Sequence, residues 1–195
     1  MMEEQRGVVV RMLVFADSHG NRNGVIDAAA GNLPLNAIVH LGDGIDDGKA
    51  AAEKLGVEFY GVAGNEDRSS EFPEKHLLVH EAFSILMIHG HQTDINPYQD
   101  ASTREKHYRK MAAMASEAGA GLLLFGHTHH AEVLEVDDVV LFNPGNMYIG
   151  SAATHSFGII EIDKDGVDVS ISARNGDGRW EEIRRLSCCQ HRCGA

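Results

Sequence analysis

Short apolar runs, each broken by a polar loop, set the rhythm of this chain. Val8–Ala16 is a Val-rich run of strand length, and the loop Asp17-Ser-His-Gly-Asn21 ends it. Arg22–Ala30 reads as a short helix with Gly31 as its stop. Ala37–Leu41 predicts a second buried strand, closed by Gly42-Asp43-Gly44. Asp46 or Asp47 then caps a helix that runs to Leu55, with Gly56 at its end. Val57–Val62 predicts a third strand, followed by Gly64-Asn65-Glu66-Asp67. This recurrence of strand, loop and helix belongs to a sheet with parallel strands and crossover helices.

The middle of the chain changes character. His76–His80 and Phe83–Ile88 read as antiparallel strands around a short turn, and Ser102–Ala118 as a helix rich in Ala, Met, Lys and Glu. Leu122–Phe125 is another buried strand, and Gly126-His127-Thr128-His129 follows it. An all-β stretch comes next, with Glu132–Val136 and Val139–Phe142 about an Asp-Asp turn. Phe157–Ile162 and Val167–Ala173 then form a hairpin around Asp163 to Gly166. Asn175-Gly-Asp-Gly178 marks the end of the packed body or a last turn. A single domain is expected over residues 8–186, with a disordered tail over 187–195.

Five polar clusters punctuate the strands: Asp17-Ser-His19, Gly42-Asp43, Gly64-Asn65, His89 and His127-Thr-His129. Each follows an apolar strand at its C-terminal end, the edge where ligands bind in sheets with crossover helices. In an extended segment, residues i and i+2 point the same way. On that ground Asp17 and His19 face one point, and so do His127 and His129. Any one cluster alone is an ordinary turn or loop signal. Five of them in register with five strand ends require a common purpose, and imidazole, carboxylate and amide oxygen together suit a divalent cation.

Bulk composition narrows the partners. The net charge of −12 opposes general nucleic-acid binding, which needs a basic surface. It leaves phosphate substrates open, because bound cations reverse the local field. No apolar run reaches membrane-spanning length, and Met1–Gly7 has no apolar signal region, so a cytoplasmic protein without membrane association is expected. Cys188, Cys189 and Cys193 all lie at the chain's end, so the body has no disulfide framework. Their spacing fits no common closed zinc pattern. Homo-oligomerisation is left open.

The order D-x-H, G-D, G-N-x-D, H-G-H, G-H-x-H resembles the calcineurin-like metallophosphoesterase superfamily. The small size and the Asn143-Pro144-Gly145 segment resemble its compact YfcE-like phosphodiesterase branch. The resemblance covers about residues 10–172. It implies an α/β fold: a four-layer αββα sandwich of two mixed β-sheets flanked by helices. It implies two divalent metal ions, Mn²⁺ favoured, with Zn²⁺, Fe, Ni²⁺ and Co²⁺ open. Asp17, His19 and His129 would bind the first cation, and Asn65, His89 and His127 the second, with Asp43 bridging both. The implied chemistry is hydrolysis of a small phosphate ester, a diester ahead of a monoester, by metal-activated water.

Several residues carry open questions. The family's usual catalytic His after the Asn of the G-N motif is Glu66 here. An ordinary Glu has a pKa of about 4.3, so Glu66 is ionised at neutral pH and cannot protonate a leaving group. His91 reads as a substrate contact or acid, or equally as a loop histidine. Ser18 reads as a turn residue, His130 as pointing away from the His pair, and His155 as a surface histidine. Asn143 either orients a metal ligand or initiates a turn. The same fold also serves as a non-catalytic scaffold, as in the small phosphoesterase-like subunit of the retromer coat. That reading predicts lost metal ligands, whereas every expected ligand position is filled here.

Overall fold

A computed structural model describes residues 10–68, 71–80, 83–164 and 166–189. The expected signal-free N-terminus, the turn at 81–82 and the end of the Cys-containing tail lie outside these residues.

The apolar runs form strands buried on both faces. In β1 (Val10–Phe15), Met12 and Val14 face one core while Leu13 and Phe15 face another. That double burial is why the run is continuous rather than alternating. Helix α1 (Arg22–Ala30) follows, then β2 (Ala37–His40), α2 (Ile45–Leu55) and β3 (Glu58–Gly61). Strands β1, β2 and β3 pair in parallel. Next come β4 (Lys75–His80), β5 (Phe83–Ile88), α3 (Ala101–Glu117), β6 (Leu122–Leu124), β7 (Ala131–Val136) and β8 (Val139–Pro144). The chain then turns through β9 (Ser156–Ile162), β10 (Gly166–Arg174) and β11 (Trp180–Cys189).

These strands make two mixed sheets, ordered β11-β10-β9-β1-β2-β3 and β4-β5-β6-β8-β7. Their inner faces share one core, in which Val14, Val39 and Ile160 meet Met87, Leu124 and Phe142. The first sheet's outer face packs Leu13, Phe15 and Ile38 against Val25 of α1 and Ala51 of α2. The second sheet's outer face packs Leu86, Leu123 and Leu141 against Met111 and Ala115 of α3. The order is helix, sheet, sheet, helix: the αββα sandwich. No described helix is long and apolar enough to cross a membrane.

Two elements differ from the sequence expectation. Helix α2 is not capped by Asp46 or Asp47: its N-cap is Gly44, which has no side chain to do it. Ile45 N and Gly44 N donate instead to Asp67, more than twenty residues along the chain. Strand β11 carries the fold through Cys189, past the expected end of the body at Leu186. The expected tail therefore starts as paired strand, and residues 190–195 lie outside those described. Asn175–Gly178 is the turn into this strand, where Asn175 Oδ1 accepts from Asp177 N and Arg179 N. β11 hid because it is an edge strand whose Glu and Arg side chains are solvent-exposed.

Candidate metal centre

All five expected clusters emerge at C-terminal ends of parallel strands: β1, β2 and β3 in one sheet, β5 and β6 in the other. The loops are laced together by their own backbones. Asp17 N donates to Gly42 O at 3.0 Å, His19 N to Asp43 O at 3.0 Å, and Gly126 N to His89 O at 2.7 Å.

The side chains converge, but not by extended alternation. Asp17, His19, Asp43, His127 and His129 all have left-handed backbone, with φ of 51°, 44°, 53°, 66° and 59°. Among the described residues eight non-glycine positions have positive φ, so these five are a majority. Such conformations are disfavoured by ~1–3 kcal/mol each and concentrate at functional sites. Five of the seven expected ligands therefore sit on left-handed turns, a geometry that extended alternation does not produce.

Three groups of potential ligand atoms result, each with its atoms within 4.8 Å of one another: Asp17, His19 and His129; Asp43, His89 and His127; and His19, Asp43 and Glu66. Asp43 and His19 each belong to two groups, so the three form one continuous centre. His129 Nε2 lies 3.4 Å from Asp17 Oδ1, and His89 Nε2 lies 3.3 Å from Asp43 Oδ2 and 3.2 Å from His127 Nδ1. The outer ring nitrogen of His89 is fixed, because Nδ1 donates to Leu41 O at 2.7 Å and so presents Nε2 to the centre. Asp17 Oδ1 and His19 Nε2 are buried without a hydrogen-bond partner. Buried polar atoms are normally paired, so two unpaired lone-pair atoms gathered with other lone-pair atoms fit a divalent cation.

The electrostatics agree with an anionic, basic pocket. Burial works to raise the Asp43 carboxyl, but the hydrogen bond and charge of His89 and the Glu66 amide (2.8 Å) hold its pKa at about 2. Burial disfavours charge on His89, yet its hydrogen bond to Asp43 and the field of Asp17 lift it above the ordinary imidazole value. The Asp17 carboxylate beside it, 3.4 Å away, raises His129 likewise. Burial and the neighbouring His89 lower His127.

Asp43 is positioned by close backbone approach. A Cβ on Gly64 would lie 2.2 Å from Asp43 Oδ1, and one on Gly42 would lie 2.5 Å from Gly64 N. The G-D and G-N pairs are thus two backbones in contact, which only glycine permits. Asp67 completes this joint: Oδ2 accepts from Asp43 N and Gly64 N at 2.8 Å each, and Oδ1 accepts from Gly44 N at 2.8 Å and Ile45 N at 3.1 Å. One carboxylate therefore serves as remote cap for α2 and as clamp for the Asp43 turn.

Behind the centre lies a second buried network. Gly42 N donates to His40 Nδ1 at 3.3 Å, which leaves Nε2–H to donate to Ser18 Oγ at 3.0 Å. Ser18 in turn donates to Asp47 Oδ2 at 2.7 Å, which also accepts from Gly20 N at 2.9 Å. Ser18 is a buried brace rather than a simple turn residue, and burial lowers the His40 pKa to about 4, so the ring is neutral. Nothing in the sequence pattern pointed to His40, and Asp47 stood out only as a candidate helix cap.

The remaining candidates are placed as follows. Asn65 lines the same cavity, of about 530 Å³, together with His19, Asp43, Glu66, His127 and His129. Glu66 is 65% exposed, with Oε2 3.2 Å from His19 Nδ1, so it orients that imidazole. His91 stands with its ring 5.4 Å from His89 and 6.2 Å from His127, and its Nδ1 is buried without a partner. Burial, then His89, lowers its pKa. Asn143 orients the His-pair loop, with Nδ2 donating to Gly126 O and Thr128 Oγ1 at 3.0 Å each. Asn146 donates to His129 O at 3.2 Å. His130 lines the cavity, against expectation. His155 is a surface histidine whose ring contacts Tyr148 O at 3.1 Å.

Comparisons with known proteins converge on one family. Residues 10–165 match the model of the calcineurin-like phosphoesterase superfamily domain. A probable metallophosphoesterase of Methanothermobacter thermautotrophicus is 32% identical over 112 residues, 56% of this chain and 59% of the relative; the match thus spans less than two thirds of that protein. The probable metallophosphoesterase YsnB of Bacillus subtilis is 27% identical over 176 residues, 86% of this chain and 94% of the relative. Among solved structures, Vps29 of Entamoeba histolytica complexed with zinc superposes with a TM-score of 0.69 at 20% identity, covering 91% of this chain and 99% of that one. The chain belongs to the calcineurin-like phosphoesterase superfamily.

Proposed function

We propose that this protein is a phosphodiesterase that works with two divalent cations, Mn²⁺ favoured and Zn²⁺, Fe, Ni²⁺ or Co²⁺ as alternatives. Asp17, His19 and His129 hold one cation, and Asn65, His89 and His127 the other, with Asp43 shared. The observation that carries this reading is the pair of unpartnered buried atoms, Asp17 Oδ1 and His19 Nε2, within a ring of converging donors. When bound, such cations supply Lewis-acid polarisation of the phosphoryl group and an activated water.

The chain's own side chains do the rest. Glu66 keeps the Nδ1 side of His19 occupied, and Leu41 O does the same for His89. Both imidazoles therefore offer Nε2 inward. Asn65 and His127 face the cavity as hydrogen-bonding groups for phosphoryl oxygens. His91, beside His89, is the candidate for a proton to the leaving group, since Glu66 is turned onto His19. The substrate is a small phosphate ester, in keeping with a cavity of this size.

Turnover of bis(p-nitrophenyl) phosphate and of p-nitrophenyl phosphate, after chelation and re-addition of each metal, tests the reading. The expected result is metal-dependent hydrolysis with the diester ahead. Hydrolysis of the monoester alone would reassign the class to a phosphomonoesterase. No turnover with any of these metals would favour an interaction scaffold, the alternative suggested by the likeness in fold to Vps29.

A further inference from the structure

The cavity over the centre has walls that the metal reading does not use. Two tyrosines from separate loops line it, Tyr98 before α3 and Tyr148 after β8, with Pro97, Ala152 and Ala153. Tyr98 is 95% exposed, so folding does not require its ring. Yet its loop is firmly built. Tyr98 N donates to Asn96 Oδ1 at 3.1 Å, Asn96 N to Gln99 Oε1 at 3.0 Å, and Gln99 Nε2 to Asp94 O at 2.9 Å. Ile95 anchors the loop in the core, 1% exposed. A braced loop that presents a bare aromatic ring beside a ligand cavity is arranged for a flat partner.

Tyr148 is held differently. Its ring lies 4.8 Å from the His19 ring, and a Cβ on Gly150 would fall 2.4 Å from its Cζ. The missing side chain at Gly150 gives this ring its place, so Tyr148 joins the aromatic wall to the centre itself.

Charge limits the other end of the substrate. Among the described residues no lysine or arginine lines the cavity. Two divalent cations set against Asp17, Asp43 and Glu66 would leave a single positive charge. One diester anion neutralises that charge, whereas an oligophosphate finds no further cation to meet it.

Resting on the phosphodiesterase reading above, we infer that the substrate class is a singly charged phosphodiester bearing a flat aromatic group, a nucleobase or an aryl ring, which stacks on Tyr98. Tyr98 is thus a specificity-determining residue, and the phosphoryl group reaches past Tyr148 to the centre.

Calorimetric binding of three singly charged diester analogues, each with one P–C bond and a poor alkoxide leaving group, to the Mn²⁺-loaded protein tests this, with intact ligand verified after each titration. Methyl methylphosphonate has no ring, methyl phenylphosphonate has an aryl ring, and the 5′-thymidyl ester of methylphosphonic acid has a nucleobase. Stacking of a base on an aromatic side chain is worth roughly 5- to 150-fold in affinity, and a one-faced exposed contact belongs at the lower end. The expected result is that Tyr98→Ala weakens the ring-bearing analogues about 5- to 10-fold and leaves methyl methylphosphonate unchanged. Tyr98→Phe should bind all three as wild type does. The tighter of the two ring-bearing analogues names the group recognised. Equal affinities of all three analogues for wild type, or a Tyr98→Ala effect common to all three, would overturn the inference while leaving the phosphodiesterase reading intact. If none of the three binds the metal-loaded wild type, both readings fall.

Discussion

Replacing Asp67 by Asn is a change of one atom at a joint between fold and metal centre. The carboxylate accepts four backbone N–H groups, two on each oxygen. Hydrogen bonds to charged groups contribute ~1.5–3 kcal/mol each, but a straight sum of four would approach the whole stability of a domain. The pocket of Asp67 is only half-buried, so water recovers part of the loss. A side-chain amide keeps one oxygen for one pair of donors and turns an NH₂ toward the other pair. Two donors then lack acceptors, at ~1–3 kcal/mol each. We expect Asp67→Asn to cost about 2–4 kcal/mol, a fall in Tm of roughly 5–15 °C for a chain of this size. Asp43 depends on the same clamp to hold its left-handed turn, with φ of 53°. Mn²⁺ affinity should therefore fall ~10- to 100-fold, as it does when an outer partner of a ligand is lost. Thermal melting of the metal-free protein and calorimetric Mn²⁺ titration read the two effects separately. An Asn variant with wild-type Tm and wild-type Mn²⁺ affinity would refute the clamp.

Other perturbations reach neighbouring parts of the centre. Asp43→Ala should abolish turnover and leave a folded protein, because its carboxylate lies at the sheet edge rather than in a core cluster; near-normal activity in a folded variant would make Asp43 a turn residue. His40 has a folded pKa of about 4 against an unfolded value of 6.5. The unfolded chain therefore takes up the proton first, and stability present above pH 6.5 is lost as pH falls toward 4. Between pH 7.5 and 5 that loss is about 2 kcal/mol at most. In urea melts of metal-free protein His40→Gln should start below wild type at pH 7.5 and draw level as pH falls, and a gap constant with pH would contradict the assignment. Glu66→His removes the carboxylate that holds His19 Nδ1. It should lower activity on aryl and alkyl diesters alike; selective gain on alkyl diesters would instead make position 66 the proton donor.

The layers and the convergence of the polar clusters were legible because each rests on a local signal. Continuous apolar runs such as Met12–Ala16 must be buried on both faces, and chemistry-bearing residues directly follow them. What stayed hidden depends on distant partners. Asp67 sits in the G-N-x-D motif, but its four donors come from segments up to 24 residues away. His40 ends an apolar strand and reads as part of it, although it bonds Ser18 across the loop. The left-handed turns at Asp17 and His127 have no compositional mark, since Asp and His are also ordinary loop residues. β11 escaped because a charged edge strand lacks the alternation of a half-buried one.

The central claim is that these seven side chains hold two cations, and anomalous diffraction at the manganese edge from Mn²⁺-soaked crystals tests it most directly. Two peaks per chain are predicted, ~3.5–4 Å apart. One would lie against Asp17, His19 and His129, the other against Asn65, His89 and His127, with Asp43 touching both. One peak, or two peaks that leave Asp17 Oδ1 and His19 Nε2 unligated, would contradict the account.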